Sequence, residues 1–204
     1  MIDLHKDGDI WTVTINRPEK AGALTGEMLV RLADIADSAR EAKVVVLTGT
    51  GDVFSAGADL DEARAGLATD PVWERLSTAI AALPGLSIAA LNGTVAGGAL
   101  GMVLACDLRI AVPAARFFYP VMRLGFQPQP SDPRRLARLV GPSRAKMILM
   151  AGEKIDAAEA HQWGLVDRIV DKADLLSVAK ALGAAAASAD IGHIDRIKSS
   201  VGDG

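Results

Sequence analysis

The sequence predicts an α/β protein, and three of its features support that prediction. Half of the 204 residues are apolar while Phe, Trp and Tyr together make up only 4 %, so the core must be built mainly from Ala, Val, Leu and Ile. Residues 43–49 (KVVVLTG) form a short unbroken apolar run between turn residues, which is typical of a strand buried on both faces. Strand-like and helix-like patterns then alternate along the chain. A parallel sheet covered by helices follows.

The N-terminal part predicts a strand followed by a helix. Residues 10–15 (IWTVTI) alternate and are rich in β-branched side chains, and residues 16–18 (NRP) stop the pattern. Thr25 is placed to cap a helix that begins at Gly26. One apolar stripe recurs along this helix at three- and four-residue spacing, formed by Met28, Leu29, Leu32, Ile35, Ala36 and Ala39.

The middle of the chain repeats this alternation. Residues 86–91 predict a second buried strand, residues 98–106 a helix and residues 108–112 a further strand. No formally charged residue lies within residues 76–106, but turn dipeptides such as Asn92-Gly93 divide that stretch into pieces too short to cross a bilayer. We therefore expect these segments to lie in a protein core and not in a membrane.

The C-terminal third predicts a capped helix, a short strand and a final helical region. Residues 156–159 (DAAE) match a capping box, and the helix behind them is expected to end near Gly164. Residues 165–170 are apolar enough for a short closing strand. From residue 172 onward the Ala-rich composition favours helix.

Charge, cysteine and histidine content exclude several classes of function. The formal net charge of -3 and the pI near 5.6 give no electrostatic reason for a nucleic acid or an anionic membrane as partner. Cys106 is the only cysteine, so it forms no internal disulfide. His5, His161 and His193 have no second ligand at metal spacing, so no metal site is expected. The N-terminus lacks an apolar signal core, and we expect a cytoplasmic protein that begins near Met1.

Three segments together resemble the crotonase (enoyl-CoA hydratase/isomerase) superfamily. They are residues 54–62 (FSAGADLDE), 92–111 (NGTVAGGALGMVLACDLRIA) and 152–170 (GEKIDAAEAHQWGLVDRIV), in that order. Residues 15–24 (INRPEKAGAL) and 139–150 (LVGPSRAKMILM) add supporting matches. The resemblance covers nearly the whole chain.

The resemblance implies a crotonase-like (ClpP/crotonase) fold, a spiral of ββα turns with two roughly perpendicular sheets. Residues 1–170 are then an acyl-CoA-binding core, and residues 171–204 a shortened C-terminal helical region. Family members continue into further helices that cover the pocket and join subunits. We expect a homo-trimer or a dimer of trimers, with the Ala-rich helix supplying part of the contact and with a more open acyl channel than is usual.

The resemblance also implies an oxyanion hole formed by two backbone amides. By position in FSAGAD and NGTVAGG, the donors are the N–H groups of Ala58 and Gly98, which receive the thioester oxygen of an acyl-CoA as it gains negative charge. One donor of this kind contributes roughly 2.7 to 4 kcal/mol to transition-state stabilisation. The alternative is that these glycine-rich segments serve only turns and close packing.

Both glutamates that the hydratases of this family use are missing. The matching positions hold Gly101, after the glycine run, and Val121, after the proline of FFYPVMRLG. Neither residue can move a proton, and each missing acid or base is worth typically 100- to 10,000-fold in rate. Residues 126–135 (FQPQPSDPRR) depart further, because three prolines replace a glycine-rich turn.

Three residues are candidates to replace the missing groups. Asp132 lies in the altered segment, although Ser131-Asp132-Pro133 is also an ordinary helix start with Asp as the cap. Tyr119 is the only tyrosine, and its alternative role is packing at an edge with the hydroxyl in solvent. Glu62 follows the first oxyanion segment, where acidic residues also simply favour the first turn of a helix.

The CoA moiety is expected at residues that the resemblance places around adenine and pantetheine: Lys20, Ala21, Ala56, Asp59 and Leu60. Lys20 would meet a phosphate. No cofactor is expected apart from the CoA thioester itself.

Two classes of function follow. The first is an enzyme of acyl-CoA metabolism that uses the oxyanion hole without the hydratase pair, as an isomerase, a decarboxylase or a thioesterase. The second is a non-catalytic acyl-CoA-binding protein. An α/β domain without CoA affinity is a more distant third.

Overall fold

The computed structural model describes residues 1–201, and residues 202–204 of the predicted C-terminal helical region lie outside the described part. The strands are β1 (Ile2–Asp7), β2 (Ile10–Ile15), β3 (Val44–Gly49), β4 (Val53–Ser55), β5 (Leu86–Leu91), β6 (Thr94–Ala96), β7 (Leu108–Ala111), β8 (Arg116–Phe118), β9 (Ile155–Asp156) and β10 (Arg168–Ile169). The α-helices are α1 (Gly26–Ser38), α2 (Leu60–Arg64), α3 (Val72–Ala81), α4 (Ala99–Ala105), α5 (Val121–Leu124), α6 (Asp132–Val140), α7 (Pro142–Leu149), α8 (Ala157–Trp163), α9 (Leu175–Ala187) and α10 (Ile191–Val201).

The strands form two sheets. The first has six strands in the order β1-β2-β3-β5-β7-β10, and all its pairs are parallel except β1 with β2. The second has four short strands in the order β4-β6-β8-β9. Each turn of the chain adds one strand to the first sheet, the next strand to the second sheet and then helix, as in β3-β4-α2 and β5-β6-α4. The chain is thus an α/β spiral of ββα units, as the resemblance implies.

Local sequence explains why the long elements form where they do. Four of the six residues of β3 are valine or leucine and lie buried between neighbouring strands. The side chain of Thr25 accepts a hydrogen bond from the Met28 amide and caps α1, as predicted. The capping box of Asp156 and Glu159 is present at the start of α8, and Gly164 ends that helix. These predictions are confirmed.

Two predicted elements differ in extent. The closing strand expected over residues 165–170 is reduced to β10, Arg168–Ile169. The Ala-rich helix divides into α9 and α10, because Asp190 starts a new helix by accepting from the His193 amide. Helix α9 packs on strands β2, β3, β5 and β7 of the first sheet, so one face of this Ala-rich segment is covered within its own chain.

None of the helices in residues 1–201 is by itself long and apolar enough to cross a membrane. Lys172–Ala187 and Ile191–Val201 meet that criterion of length and composition only when taken together, and they are bent by 104° at the break between them.

Candidate active site

Two backbone segments meet where the sequence places the oxyanion donors. One is the loop that follows β4, and the other is the turn between β6 and α4. Gly57 has a φ of 93°, and a Cβ built on it would lie 2.9 Å from the Ala96 carbonyl oxygen. Only glycine fits both this left-handed conformation and this close approach. The sequence therefore holds the two segments in direct backbone contact.

The amide of Ala58 is left without a partner while its neighbours are bonded. The Gly57 N–H donates to Ser55 Oγ at 3.1 Å, and the Asp59 N–H donates to the Leu24 carbonyl at 2.8 Å. Within residues 1–201 the Ala58 N–H has no acceptor. A free backbone donor in an otherwise bonded loop is available to a ligand oxygen.

The amide of Gly98, on the facing turn, also lacks an acceptor. The preceding Gly97 N–H donates to the Phe118 carbonyl at 3.1 Å, whereas the Gly98 N–H has no acceptor in the described part of the chain. A Cβ built on Gly98 would lie 3.1 Å from the ring of Trp73. Trp73 is itself buried, and its indole N–H donates to the Leu67 carbonyl at 2.8 Å. Sequence analysis did not single out Trp73, since its contact with Gly98 arises only from packing between α3 and α4.

Position 101 lies one helical turn beyond Gly98, and the space beside it is filled by a side chain from another helix. The Gly101 N–H donates to the Gly98 carbonyl at 3.1 Å. A Cβ built on Gly101 would lie 2.7 Å from Asp132 Oδ1 and 2.9 Å from Oδ2. The carboxylate of Asp132, carried by α6, therefore fills the volume that a side chain on α4 would take. This face of α4 is covered by Trp73 and Asp132.

Asp132 and Tyr119 form a buried pair. Asp132 is 1 % exposed and Tyr119 is 4 % exposed. The Tyr119 hydroxyl donates to Asp132 Oδ2 at 3.0 Å, and the Gln129 N–H lies 3.5 Å from the hydroxyl oxygen. Burial raises the pKa of Asp132 to about 7, although the Tyr119 hydrogen bond acts to lower it. Burial, and then the nearby Asp132 charge, raise the pKa of Tyr119 above its ordinary value.

This geometry corrects two alternatives that the sequence left open. Asp132 is not the helix cap: Ser131 occupies that position, no side-chain capping bond is formed, and the Asp132 carboxylate points inward to Tyr119. The Tyr119 hydroxyl does not reach solvent, because the same hydrogen bond holds it in the interior. Local sequence indicated a helix start, whereas the tertiary packing of α6 against α4 directs the side chain.

Glu62 and Val121 contribute no acid or base to this cluster. Glu62 Oε2 accepts a hydrogen bond from the Gly26 N–H at 2.7 Å and so caps the start of α1. Val121 is buried at the start of α5 and has no ionisable group. Asp132 is therefore the candidate carboxylate that the structure brings next to Gly101.

The residues expected around CoA lie together on the surface beside the Ala58 loop. The Ala56 N–H donates to the Ala21 carbonyl at 3.0 Å, which joins the two segments concerned. Lys20 and Ala56 are exposed, and Leu60 is 74 % exposed, which is high for a leucine. An apolar side chain in this position is available for contact with a ligand.

Asp59 is tied to Arg17, which sequence analysis did not single out. Arg17 Nη1 lies 2.9 Å from Asp59 Oδ2 and donates to the Ala23 carbonyl at 3.0 Å. Hydrogen bonding to Arg17 lowers the pKa of Asp59, so the carboxylate stays ionised. The pair fixes the loop that carries Lys20 against the start of α2. Arg17 lies in the NRP segment, and from sequence alone this segment indicates only the end of a strand.

Other reactive groups lie outside this arrangement. Within residues 1–201 no group of three His, Cys, Asp or Glu side chains is placed to hold a metal ion. Cys106 is buried, and burial raises the pKa of its thiol to about 12, as expected for a small core residue and not for a nucleophile.

Two unpaired amides on facing turns form an arrangement that can polarise the carbonyl oxygen of a ligand. The family model for enoyl-CoA hydratase/isomerase matches residues 5–203. The chain belongs to the enoyl-CoA hydratase/isomerase family, the crotonase superfamily.

Individual relatives and solved structures agree with this assignment. YngF of Bacillus subtilis (strain 168), which carries an enoyl-CoA hydratase/isomerase name, is 41 % identical over 183 residues, or 85 % of this chain and 70 % of YngF. The 4-chlorobenzoyl coenzyme A dehalogenase-1 of an Arthrobacter species is 34 % identical over 89 % of this chain and 71 % of its own length. The crystal structure of enoyl-CoA hydratase EchA8_6 from Mycobacterium marinum matches with a TM-score of 0.88 at 32 % identity, covering 98 % of each chain. The relatives' names thus span more than one reaction.

Proposed function

We propose that this protein is an enzyme that binds an acyl-CoA thioester with its carbonyl oxygen between the amides of Ala58 and Gly98. The supporting observation is that both N–H groups lack acceptors in the described chain while neighbouring amides are bonded. Two such donors stabilise an enolate-like oxygen without any side chain. Acyl-CoA is the proposed partner, and the cytoplasm the proposed compartment.

The proposed reaction is not ordinary hydration. Adding water across a double bond needs one group to activate the water and another to handle the proton at the α-carbon. Positions 101 and 121 hold Gly and Val, which supply neither. A double-bond shift, a decarboxylation or a thioester hydrolysis is compatible with this site. The second candidate, a non-catalytic acyl-CoA-binding protein, is favoured by the same two missing glutamates and by the proline-rich segment 126–135.

A matched pair of variants at position 98 tests the oxyanion hole. Gly98 has a φ of -58°, which proline adopts, so Gly98→Pro removes the N–H without requiring a new φ at position 98. Gly98→Ala is the control, because it brings the same Cβ contact with Trp73 but keeps the donor. We expect bound acetyl-CoA to show a lowered thioester carbonyl stretching frequency in isotope-edited infrared spectra of wild type and Gly98→Ala, but not of Gly98→Pro.

We expect kcat to fall in Gly98→Pro, the variant that loses the carbonyl frequency shift, and not in Gly98→Ala. Loss of one donor is expected to lower kcat by about 100- to 1,000-fold for any substrate that the wild type converts. An unshifted carbonyl frequency in the saturated wild-type complex would contradict the proposal. Calorimetric titration with acetyl-CoA, crotonyl-CoA and a longer acyl-CoA separates that outcome from absence of binding.

Hydration of crotonyl-CoA provides a separate prediction. Because Gly101 and Val121 replace both glutamates, we expect hydration to be slow or absent. The loss of absorbance of the conjugated thioester measures it directly. Turnover at about ten per second, near the median for enzymes, would mean that another acid-base pair operates.

The proposal includes assembly as a homo-trimer. Large apolar side chains are exposed on the segment after β8 and on or next to α7: Met122, Leu124, Phe126, Met147 and Met150. Soluble proteins limit such surface unless a partner covers it. This surface supports a subunit contact.

A further inference from the structure

We propose that Asp132 is the catalytic proton carrier of this site and acts from α6 through the space that Gly101 leaves open on α4. The inference deepens the proposed function and depends on it. It assigns the acid-base chemistry of the site to a residue on α6, whereas the resemblance places the first of the two missing glutamates at position 101 on α4.

The first support is spatial. Position 101 lies on the same face of α4 as Gly98, one turn further along, so a group there is close to the carbon atoms next to a thioester held at the Gly98 amide. The Asp132 oxygens occupy that place, 2.7 and 2.9 Å from a Cβ built on Gly101. A carboxylate is thus present where the resemblance puts a carboxylate, although another part of the chain supplies it.

The second support is an unsatisfied buried atom. Asp132 Oδ1 is the buried side-chain oxygen or nitrogen for which the structure provides no hydrogen-bond partner within residues 1–201. Leaving a buried acceptor unpaired costs about 1–3 kcal/mol, and more for a charged group. The neighbouring carboxylate of Glu74 is in contrast engaged by the backbone N–H and the hydroxyl of Ser131, at 3.2 and 3.1 Å. Oδ1 therefore has no partner within residues 1–201 that competes with a substrate proton.

Tyr119 acts as a positioning residue. Its hydroxyl holds Oδ2, which fixes the carboxylate plane and leaves Oδ1 as the reactive atom. Burial brings the pKa of Asp132 to about 7, and a carboxyl group of this kind can both take and return a proton near neutral pH. The charged groups that face it are Glu74 on α3 and Arg135 on α6.

A single such group suits a 1,3-proton shift in a 3-enoyl-CoA. The C–H bond at the α-carbon breaks, the proton passes to Asp132 Oδ1, and the electron pair delocalises onto the thioester oxygen between the Ala58 and Gly98 amides. Asp132 then returns the proton to the γ-carbon, and the double bond becomes conjugated with the carbonyl. Atoms and electrons balance without water or any other reactant.

The test compares Asp132→Asn with the wild type, using vinylacetyl-CoA, the shortest 3-enoyl-CoA. Asparagine has nearly the same shape, and its side-chain oxygen can still accept the Tyr119 hydrogen bond. It has no carboxyl group that could take up and release a proton. We expect isomerisation, measured by absorbance of the conjugated product, to fall about 100- to 10,000-fold, while the Kd for acetyl-CoA changes less than about threefold. Asp61→Asn is the control with unchanged activity, since Asp61 is an exposed carboxylate whose partner within residues 1–201 is Arg64.

Tyr119→Phe supplies a readout that a purely structural role would not move. Its hydrogen bond lowers the pKa of Asp132, so its removal should shift the rising limb of the kcat/KM profile to higher pH. Wild-type turnover by Asp132→Asn would overturn the inference. So would a wild type that binds and polarises the thioester yet neither isomerises vinylacetyl-CoA nor exchanges its α-protons in D2O. Failure to bind or polarise any acyl-CoA would instead refute the proposed function.

Discussion

At the residue scale, the burial that raises the pKa of Asp132 and supports its proposed catalytic role also lowers the stability of the folded protein. Its carboxyl group is buried, one of its oxygens has no partner in the described chain, and its pKa is raised to about 7. The unfolded chain releases that proton near the ordinary value of 3.8. Between these two pH values the folded state binds more protons than the unfolded state, so stability falls as pH rises through the interval.

We therefore expect Asp132→Asn to be more stable than the wild type at about pH 8 and to lose most of this advantage towards about pH 4. Asparagine cannot ionise, so it avoids the cost of a buried charge. Urea unfolding at several pH values measures the difference, and Asp61→Asn should show no comparable pH dependence. A variant less stable than wild type at pH 8 would mean that the carboxylate forms contacts that outweigh its desolvation.

The sequence predicted some site residues and not others for a physical reason. The Ala58 and Gly98 positions follow from the family resemblance of the FSAGAD and NGTVAGG segments, each of which is short and continuous in sequence. The inward direction of Asp132 depends on Gly101, which is distant in sequence, and the SDPRR segment alone indicates only a helix start. The contact between Trp73 and Gly98 is likewise tertiary.

At the scale of elements, Asn92 joins the two sheets at the turn between β5 and β6. Its Oδ1 accepts from the Gly49 N–H at 2.9 Å, and its Nδ2 donates to the carbonyls of Gly51 and Val53 at 3.1 and 3.3 Å. One buried side chain thus satisfies three backbone groups on the preceding β3-β4 connection. Adjacent turns of the spiral are locked in register.

We expect Asn92→Ala to lower the free energy of unfolding by about 2–3 kcal/mol, because the removed side chain leaves backbone groups unpaired. Chemical denaturation provides the measurement. Asn16→Ala is the control, because the Asn16 side-chain amide donates to Asp3 Oδ2 at 2.7 Å but lies at the surface. We expect this variant to lower the free energy of unfolding by less than about 1 kcal/mol. Equal losses in the two variants would contradict the role given to Asn92.

Among the strands that the sequence predicted, the longer ones had the clearest pattern. Strands β2, β3 and β5 each span six residues and display a clear pattern. Strands β4, β6 and β8 have three residues each, too few for any periodicity, so the second sheet could be expected only from the family resemblance. The break before α10 was missed because a single aspartate, Asp190, marks it within a helix-favouring run.

At the scale of the whole molecule, an apolar surface sets the assembly prediction. Met122 and Met150 are each 61 % exposed and line one cavity of about 490 Å³ together with Phe118 and Pro120. We expect the wild type to have about three times the 21.2 kDa mass of one chain in light scattering. Glutamate in a desolvated contact is strongly unfavourable, so Met122→Glu combined with Met150→Glu should shift the mass towards one chain.

Val30→Glu is the control for that experiment, since Val30 is a 43 % exposed apolar residue on α1, away from this cavity. It should leave the measured mass unchanged. A wild type that scatters as a single chain at micromolar concentration would refute the trimer.

The exchange of space between Gly101 and Asp132 also constrains the ancestry of this protein. Because a Cβ at position 101 would come within 2.7 Å of an Asp132 oxygen, a lineage with glutamate at that position could not hold the Asp132 carboxylate in its present orientation. Relatives with a side chain at position 101 are therefore expected to hold the residue at position 132 in a different orientation.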